Sequence, residues 1–341
     1  MGNRSSRTLP PRRQPWQGGV TLVEVLISLA LGLIVIAAAI GIFLSSREAN
    51  RNIESLSRIQ ENARIVFDLM SRSMREVGGV PCGAKMPDPV KITSAYGWCP
   101  AGEYEKQALE GKKDAGFAGI AVQIPKPGGG THTVKYPDSS TGLDPGDSVR
   151  FITLASEAGN GGMSQIIGKS GNKLVLQSIS GFDKNGLILA CNPREGAIFT
   201  GGEFVSGPTA SMPEGGEYAP PATIDLAGTY VPKTGASAGT YYLAMLQPEV
   251  WFIGANDRGG TSLYRITGNN ASADEIAPDA TKMTLAYLVP GKSGYLDASG
   301  VNGEDWPKVL AVRVFLTLSD NSARPTFERT LMHTVSLRNR R

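Results

Sequence analysis

GGVTLVEVLISLALGLIVIAAAIGIFL, Gly18 to Leu44, is the stretch on which the reading of this 341-residue chain turns. From Val20 to Leu44 it holds a single charged residue, Glu24. At a helical rise of about 1.5 Å per residue, this run crosses a bilayer core of about 30 Å. A carboxylate in hydrocarbon costs about 2.5–3.5 kcal/mol on insertion scales, and such residues are ordinarily paired and functional. The segment therefore reads as a membrane anchor, and Glu24 as a residue in need of a partner. Nothing later in the chain repeats the pattern, so a single-pass protein with a large water-facing remainder is expected.

Ahead of the anchor, MGNRSSRTLPPRRQPWQGG carries Arg4, Arg7, Arg12 and Arg13 and no acid. The positive-inside rule then keeps the N-terminus cytoplasmic and exports everything after Leu44. The whole chain has 34 basic and 31 acidic residues, and removing the four leader arginines leaves 30 against 31. The exported part has no basic excess that would suggest a nucleic-acid partner. Three cysteines, Cys82, Cys99 and Cys191, fit an exported domain in which two pair and one is left over. His132 and His333 are the only histidines, too few for a zinc site at short spacing, so neither metal nor cofactor is expected.

Beyond the anchor the apolar residues change period. Ile53, Leu56, Ile59, Ala63, Val66, Phe67, Met70, Met74 and Val77 recur every three or four positions among Arg, Glu, Asp and Asn, the pattern of a half-buried helix. No proline interrupts Val20 to Val77, and Gly78, Gly79 and Pro81 supply the stop. One helix, first apolar all round and then amphipathic, is the expectation. After Pro81 come short β-prone runs: SVRFITLA, NKLVLQSI, LILAC, GTYYLAMLQ, EVWFIGA, TSLYRIT, KMTLAYLV, KVLAVRVFLTL and TLMHTVSLR. The Gly- and Pro-rich PKPGGGTHT and GPTASMPEGGEYAPPAT read as loops. The fold class is α+β, a long N-terminal helix packed on a strand-rich antiparallel head. Its divisions are 1–19 leader, 20–44 transmembrane half, 45–77 amphipathic half and 78–341 head.

Signals for chemistry are few. GGMSQIIGKS and AYLVPGKS fail as phosphate loops, because the glycine required five positions earlier is Met163 in one and Ala286 in the other. The loop YLDASGVNGEDW, with Asp297, Asn302, Glu304 and Asp305, has oxygen ligands for calcium but lacks the ligand spacing of a helix-loop-helix calcium site, and solvated loop acids are the plainer account. Neither G-x-S-x-G nor H-E-x-x-H occurs. No enzyme is expected.

The junction Gly18-Gly19-Val20-Thr21-Leu22-Val23-Glu24 combines a basic leader, small residues at the membrane edge, an apolar run and one acid five residues after Gly19. A secretory signal peptide is cut after its apolar region, whereas here the small residues precede it. An uncut signal anchor with a snorkelling acid is the plain alternative.

This constellation resembles the type IV prepilin leader, which a membrane peptidase cuts after glycine before methylating the new amino terminus. The resemblance implies cleavage between Gly19 and Val20, N-methylation of Val20, and a docking role for Glu24. Val20 departs from the phenylalanine or methionine usual there. LSRIQENARIVFDLMSRSMREVGGVPCG, LILACNPREGAIFT, GTSLYRI, WPKVLAVRVFLTL and the terminal SLRNR are similar to the PilW family of minor pilins. That likeness implies a non-enzymatic subunit that helps initiate or cap a type IV pilus. Its partners would be prepilin peptidase, other minor pilins, the major pilin and, before assembly, inner-membrane lipid. The head would be periplasmic and then part of the extracellular pilus. Gly32, Ala37 and Gly41 offer small-residue surfaces for helix packing. Cys191 lies in a segment like the family's cysteine-bearing strand, which favours Cys82–Cys191, with Cys82–Cys99 as the local alternative. A type II secretion pseudopilin shares leader, helix and acid; a membrane-tethered binding protein with an uncut anchor is the reading from another class.

Overall fold

The computed structural model describes residues 19–82, 91–92, 102–117, 121–125, 129–136, 146–155, 162–206, 215–221, 241–268, 273–320 and 327–339. It is α+β: a 55-residue helix, Leu22–Glu76, followed by strands in an almost wholly antiparallel arrangement. Contacts divide the chain into two units between Glu54 and Ser55, and the helix runs through both.

In the first unit the helix is long and apolar enough to cross a membrane, and none of its most apolar window is buried. Leu22, Ile34 and Ile42 are exposed on different sides of it. A helix greasy all round is one that expects hydrocarbon, not a core, around it.

In the second unit the helix buries Ile59, Ala63, Val66, Met70 and Met74 on one stripe, continued by Val77 beyond its end. Each buried Ile, Val or Met contributes roughly 1.5–3 kcal/mol. The stripe starts later than its period suggests, since Ile53 is 66% exposed. Gly78, at φ 73, turns the chain, and its N–H donates to the Ile152 carbonyl at 3.3 Å. A left-handed glycine is the common helix stop because any other residue carries a Cβ penalty there.

The large sheet is organised by one 14-residue strand, Tyr242–Ala255. On one side it pairs first with Met163–Ser170 and then with Ser148–Leu154; on the other it pairs with Leu187–Cys191 and then with Thr261–Thr267. The sequence suggested two strands broken at Pro248, and the structure corrects this. Pairing with Leu187–Cys191 ends at Leu246 and pairing with Thr261–Thr267 begins at Glu249. Pro248 sits in that gap, with its carbonyl accepting from Gly268 N–H at 2.8 Å. Its missing N–H thus falls at the end of this ladder rather than within it.

Leu187–Cys191 is buried at every position because both faces are covered. Leu187, Leu189 and Cys191 face the helix core, whereas Ile188 and Ala190 join a second core with Ile166, Leu174, Leu176, Phe199, Tyr218 and Leu243. Met163–Ser170, Lys173–Leu176, Gly216–Ala219 and Glu203–Ser206 line up, in that order, beside the central strand around this second core. The first of these contains the failed phosphate loop, and Gly216–Ala219 lies inside a stretch expected to be loop. Thr131–Lys135, which begins within an expected loop, forms a hairpin with Ala121–Pro125.

A four-stranded sheet, in the order Tyr295–Leu296, Ala280–Leu288, Ala311–Asp320 and Phe327–Ser336, closes the helix core with Met283, Leu285, Val312, Val314, Leu316 and Val335. Arg58 pairs with Asp320 at 2.6 Å across this contact. Cys82 and Cys191 form a disulfide that ties the segment after the helix to the large sheet; Cys99 lies outside the described residues.

Candidate processing and docking segment

Gly19, Val20 and Thr21 precede the first helical residue and are exposed. Thr21 occupies the N-cap position: its Oγ1 accepts the backbone N–H of Glu24 at 3.3 Å, and its carbonyl accepts from Val25 N–H at 3.2 Å. This satisfies one of the donors that every helix start leaves without an intrahelical partner. Glu24 is therefore the third helical residue, in the first turn, where a carboxylate also meets the positive end of the helix dipole. Thr-x-x-Glu is a capping-box signature. It stood in the sequence and identifies Thr21 as a residue of this segment that the charge-based reading passed over.

The helix also decides what Glu24 cannot reach. The next cation along it is Arg47, about 35 Å away at standard rise, with its guanidinium 4.9 Å over the Phe43 ring. An ion pair between Glu24 and that arginine is geometrically closed. Gly32 and Gly41 have no neighbouring atom within 4 Å of where a Cβ would sit. Ala37 and Gly41, four residues apart, share a helix face, while Gly32 lies about half a turn round from Gly41. The small residues thus open two sides of the helix.

Elsewhere the chemistry-bearing residues are occupied structurally. Asp297 pairs with Lys113 at 2.6 Å, Glu304 with Lys106 at 2.6 Å and Asp305 with Lys308 at 2.9 Å. The acidic loop is a clasp onto the short helix Tyr104–Gln107 and the turn after Leu109–Lys112, and Lys113 holds the Asp297 carboxyl down to about 2. His333 stacks on Phe67 at 5.2 Å, with its Nε2 2.9 Å from Ser71 Oγ, and His132 Nε2 lies 2.8 Å from the Ala255 carbonyl. Among the described residues, no three His, Cys, Asp or Glu side chains are grouped to hold a metal ion.

Arg150, 1% exposed, hydrogen-bonds Gln107 and Glu110 with its Cζ 5.1 Å over the Phe117 ring. Asp147 is buried and accepts from the backbone N–H groups of Asp114 and Leu285 at 3.0 and 2.7 Å. Burial nonetheless pushes its carboxyl above the ordinary range. These polar ties hold the head together; none was legible from spacing, because each joins residues far apart in the chain.

Comparison with known proteins fits the placement of the segment. The family described as the prokaryotic N-terminal methylation motif matches residues 17–40, which contain Gly19, Val20 and Glu24. A pilin-like protein, PilA3 of Thermus thermophilus, is 33% identical over 60 residues, covering 18% of this chain and 26% of the relative. The chain spans about a quarter of the length of that curated relative. No solved structure matches. The chain thus carries a type IV pilin-type methylation motif at the start of an apolar helix.

Proposed function

We propose that this chain is a minor pilin of a type IV pilus, of the PilW kind. It would be cut between Gly19 and Val20 and N-methylated at Val20 by prepilin peptidase, and would act with other minor pilins and the major pilin in initiating or capping the filament. The observation that carries the reading is the coincidence of the methylation motif with an exposed, capped helix start, Gly19-Val20-Thr21, followed by an apolar helix without a core of its own. Cutting there leaves the apolar helix at the front of the mature protein. Intact mass of the protein purified from its native host tests this: loss of residues 1–19 plus one methyl group is expected, and a full-length chain would refute it.

Cleavage also creates a cation, the amino group of Val20, one turn from Glu24. Within one chain that amine belongs to the same helix start; in a filament the neighbour's Val20 amine is brought beside Glu24. A buried charge deprived of its partner costs on the order of 3–5 kcal/mol, so pairing rewards one axial register and penalises the rest. Ala37 and Gly41 on one face and Gly32 on the other let neighbouring helices approach closely. Glu24→Gln should leave cleavage and folding of the head unchanged and reduce crosslinking to other pilins at matched protein level. Unaltered crosslinking would refute the docking role without touching the cleavage result.

A further inference from the structure

The face of the large sheet that carries the helix continues past the disulfide. Register sets Cys191 opposite Tyr242 and Tyr242 opposite Gln165. Gln177, just beyond Lys173–Leu176, donates its backbone N–H to the Gln165 carbonyl at 3.0 Å. Opposed residues share a sheet face, so Gln177, Gln165 and Tyr242 form a row across three neighbouring chain segments. Around this row Met163, Ser164, Gln165, Gln177, Ser178 and Tyr242 line a cavity of about 300 Å³, the lower end of the range for small-ligand sites. The two serines brace it: Ser164 Oγ accepts Ser178 N–H at 2.9 Å and donates to the Gln165 carbonyl at 3.3 Å.

Among the described residues the lining has no Asp, Glu, Lys, Arg or His, so a charged ligand would lose its hydration without meeting a counter-charge there. A carboxamide offers two donors and an acceptor, the match for a hydroxyl that both donates and accepts. The half-buried Tyr242 ring supplies an apolar platform with a polar tip. A peptide finds little here. Met163–Ser170 and Tyr242–Ala255 are each paired on both sides, so these two strands offer no free edge for strand addition, and among the described residues no arginine lines the groove to meet an acidic motif.

We propose that this groove binds a neutral pyranose sugar, with Tyr242 stacking on its C–H face and Gln165 and Gln177 bonding its hydroxyls. The site does not depend on leader cleavage or pilus assembly. The test uses full-length protein, in a detergent without a sugar head group, on immobilised neutral glycans, sialylated glycans and uncharged peptides. Free monosaccharides serve as competitors to separate recognition of one sugar ring from recognition of a longer chain. The expected result is retention on neutral glycans, lost on competition and weakened about tenfold or more by the exposed Gln177→Ala, whose melting temperature should be unchanged. Tyr242→Ala should abolish retention, and the Gln177 variant keeps the test decisive if that substitution disturbs folding. Absence of retention on neutral glycans, retention only on sialylated glycans or peptides, or indifference to both Gln177→Ala and Gln165→Ala would overturn the proposal.

Discussion

Ser73 Oγ donates to Glu249 Oε1 at 3.1 Å, joining the long helix to the central strand inside the core. The other carboxylate oxygen accepts the Trp251 indole N–H at 3.0 Å, and Glu249 is 2% exposed. Glu249→Ala orphans both buried donors, each at about 1–3 kcal/mol. A loss of about 2–4 kcal/mol in urea unfolding is expected, with the sheet's far-ultraviolet signature retained before the transition.

The disulfide closes a loop across a sequence separation of 109. Loop entropy of that size corresponds to about 4–5 kcal/mol in the chain-entropy model. Replacing Cys82 and Cys191 together by serine should lower stability by about 2–5 kcal/mol. Non-reducing peptide mapping of the parent protein should return the Cys82–Cys191 linked pair; three free thiols would contradict the structure.

Tyr287 is fully buried with its hydroxyl unpartnered among the described residues, and a Cβ on Gly111 would come 2.0 Å from that oxygen. Gly111→Ala should cost about 1–3 kcal/mol through overpacking. Tyr287→Phe removes a desolvated polar atom and should be neutral or stabilising. Thermal melts of the two variants should therefore move in opposite directions or leave the second unmoved; a large drop for Tyr287→Phe would reveal a partner the geometry does not show.

The hydrogen bond from Lys113, then that from Ser299, lowers the Asp297 carboxyl from 3.8 to about 2. A depressed folded value means that the clasp's contribution is complete above the ordinary carboxylate value and is lost as pH falls from there through about 2. Following the Asp297 carboxyl carbon by NMR should show this low midpoint, and Lys113→Ala should move it up towards 3.8. A midpoint near 3.8 in the parent would show that the clasp is open in solution.

Thr21→Ala removes the acceptor for Glu24 N–H. Loss of an N-cap costs roughly 1 kcal/mol, so amide exchange at Glu24 in micelles should accelerate about fivefold while amides beyond the first turn stay unchanged. Equal exchange in both proteins would mean that the cap contributes nothing there.

Much of this architecture was legible because its signals are local. The apolar run and its lone acid, the change of period near Ile53, the Gly78 stop and strands such as TSLYRIT and KMTLAYLV each declare themselves within a few residues. Misreadings arose where an isolated signal met a distant context. Pro248 looked like a break because the change of partner beside it is invisible in one dimension. Gly216–Ala219 and the start of Thr131–Lys135 looked like loop because glycine-rich flanks hide short strands whose stability comes from neighbours.

By itself the sequence determined the order of parts: basic N-terminal segment, small residues at the start of an apolar helix that carries Glu24, amphipathic turns and strand-rich head. These follow from periodicity, charge asymmetry and spacing, which act between near neighbours. Only the tertiary structure decided which strand lies beside which, that LILAC is covered on both faces, that Ser73 meets Glu249, and that Gln177, Gln165 and Tyr242 share a row. Those relations join residues far apart in the chain: Tyr242 lies 77 positions from Gln165 and Ser73 lies 176 from Glu249. They depend on register and layer packing, which one residue's slip would turn to the opposite face.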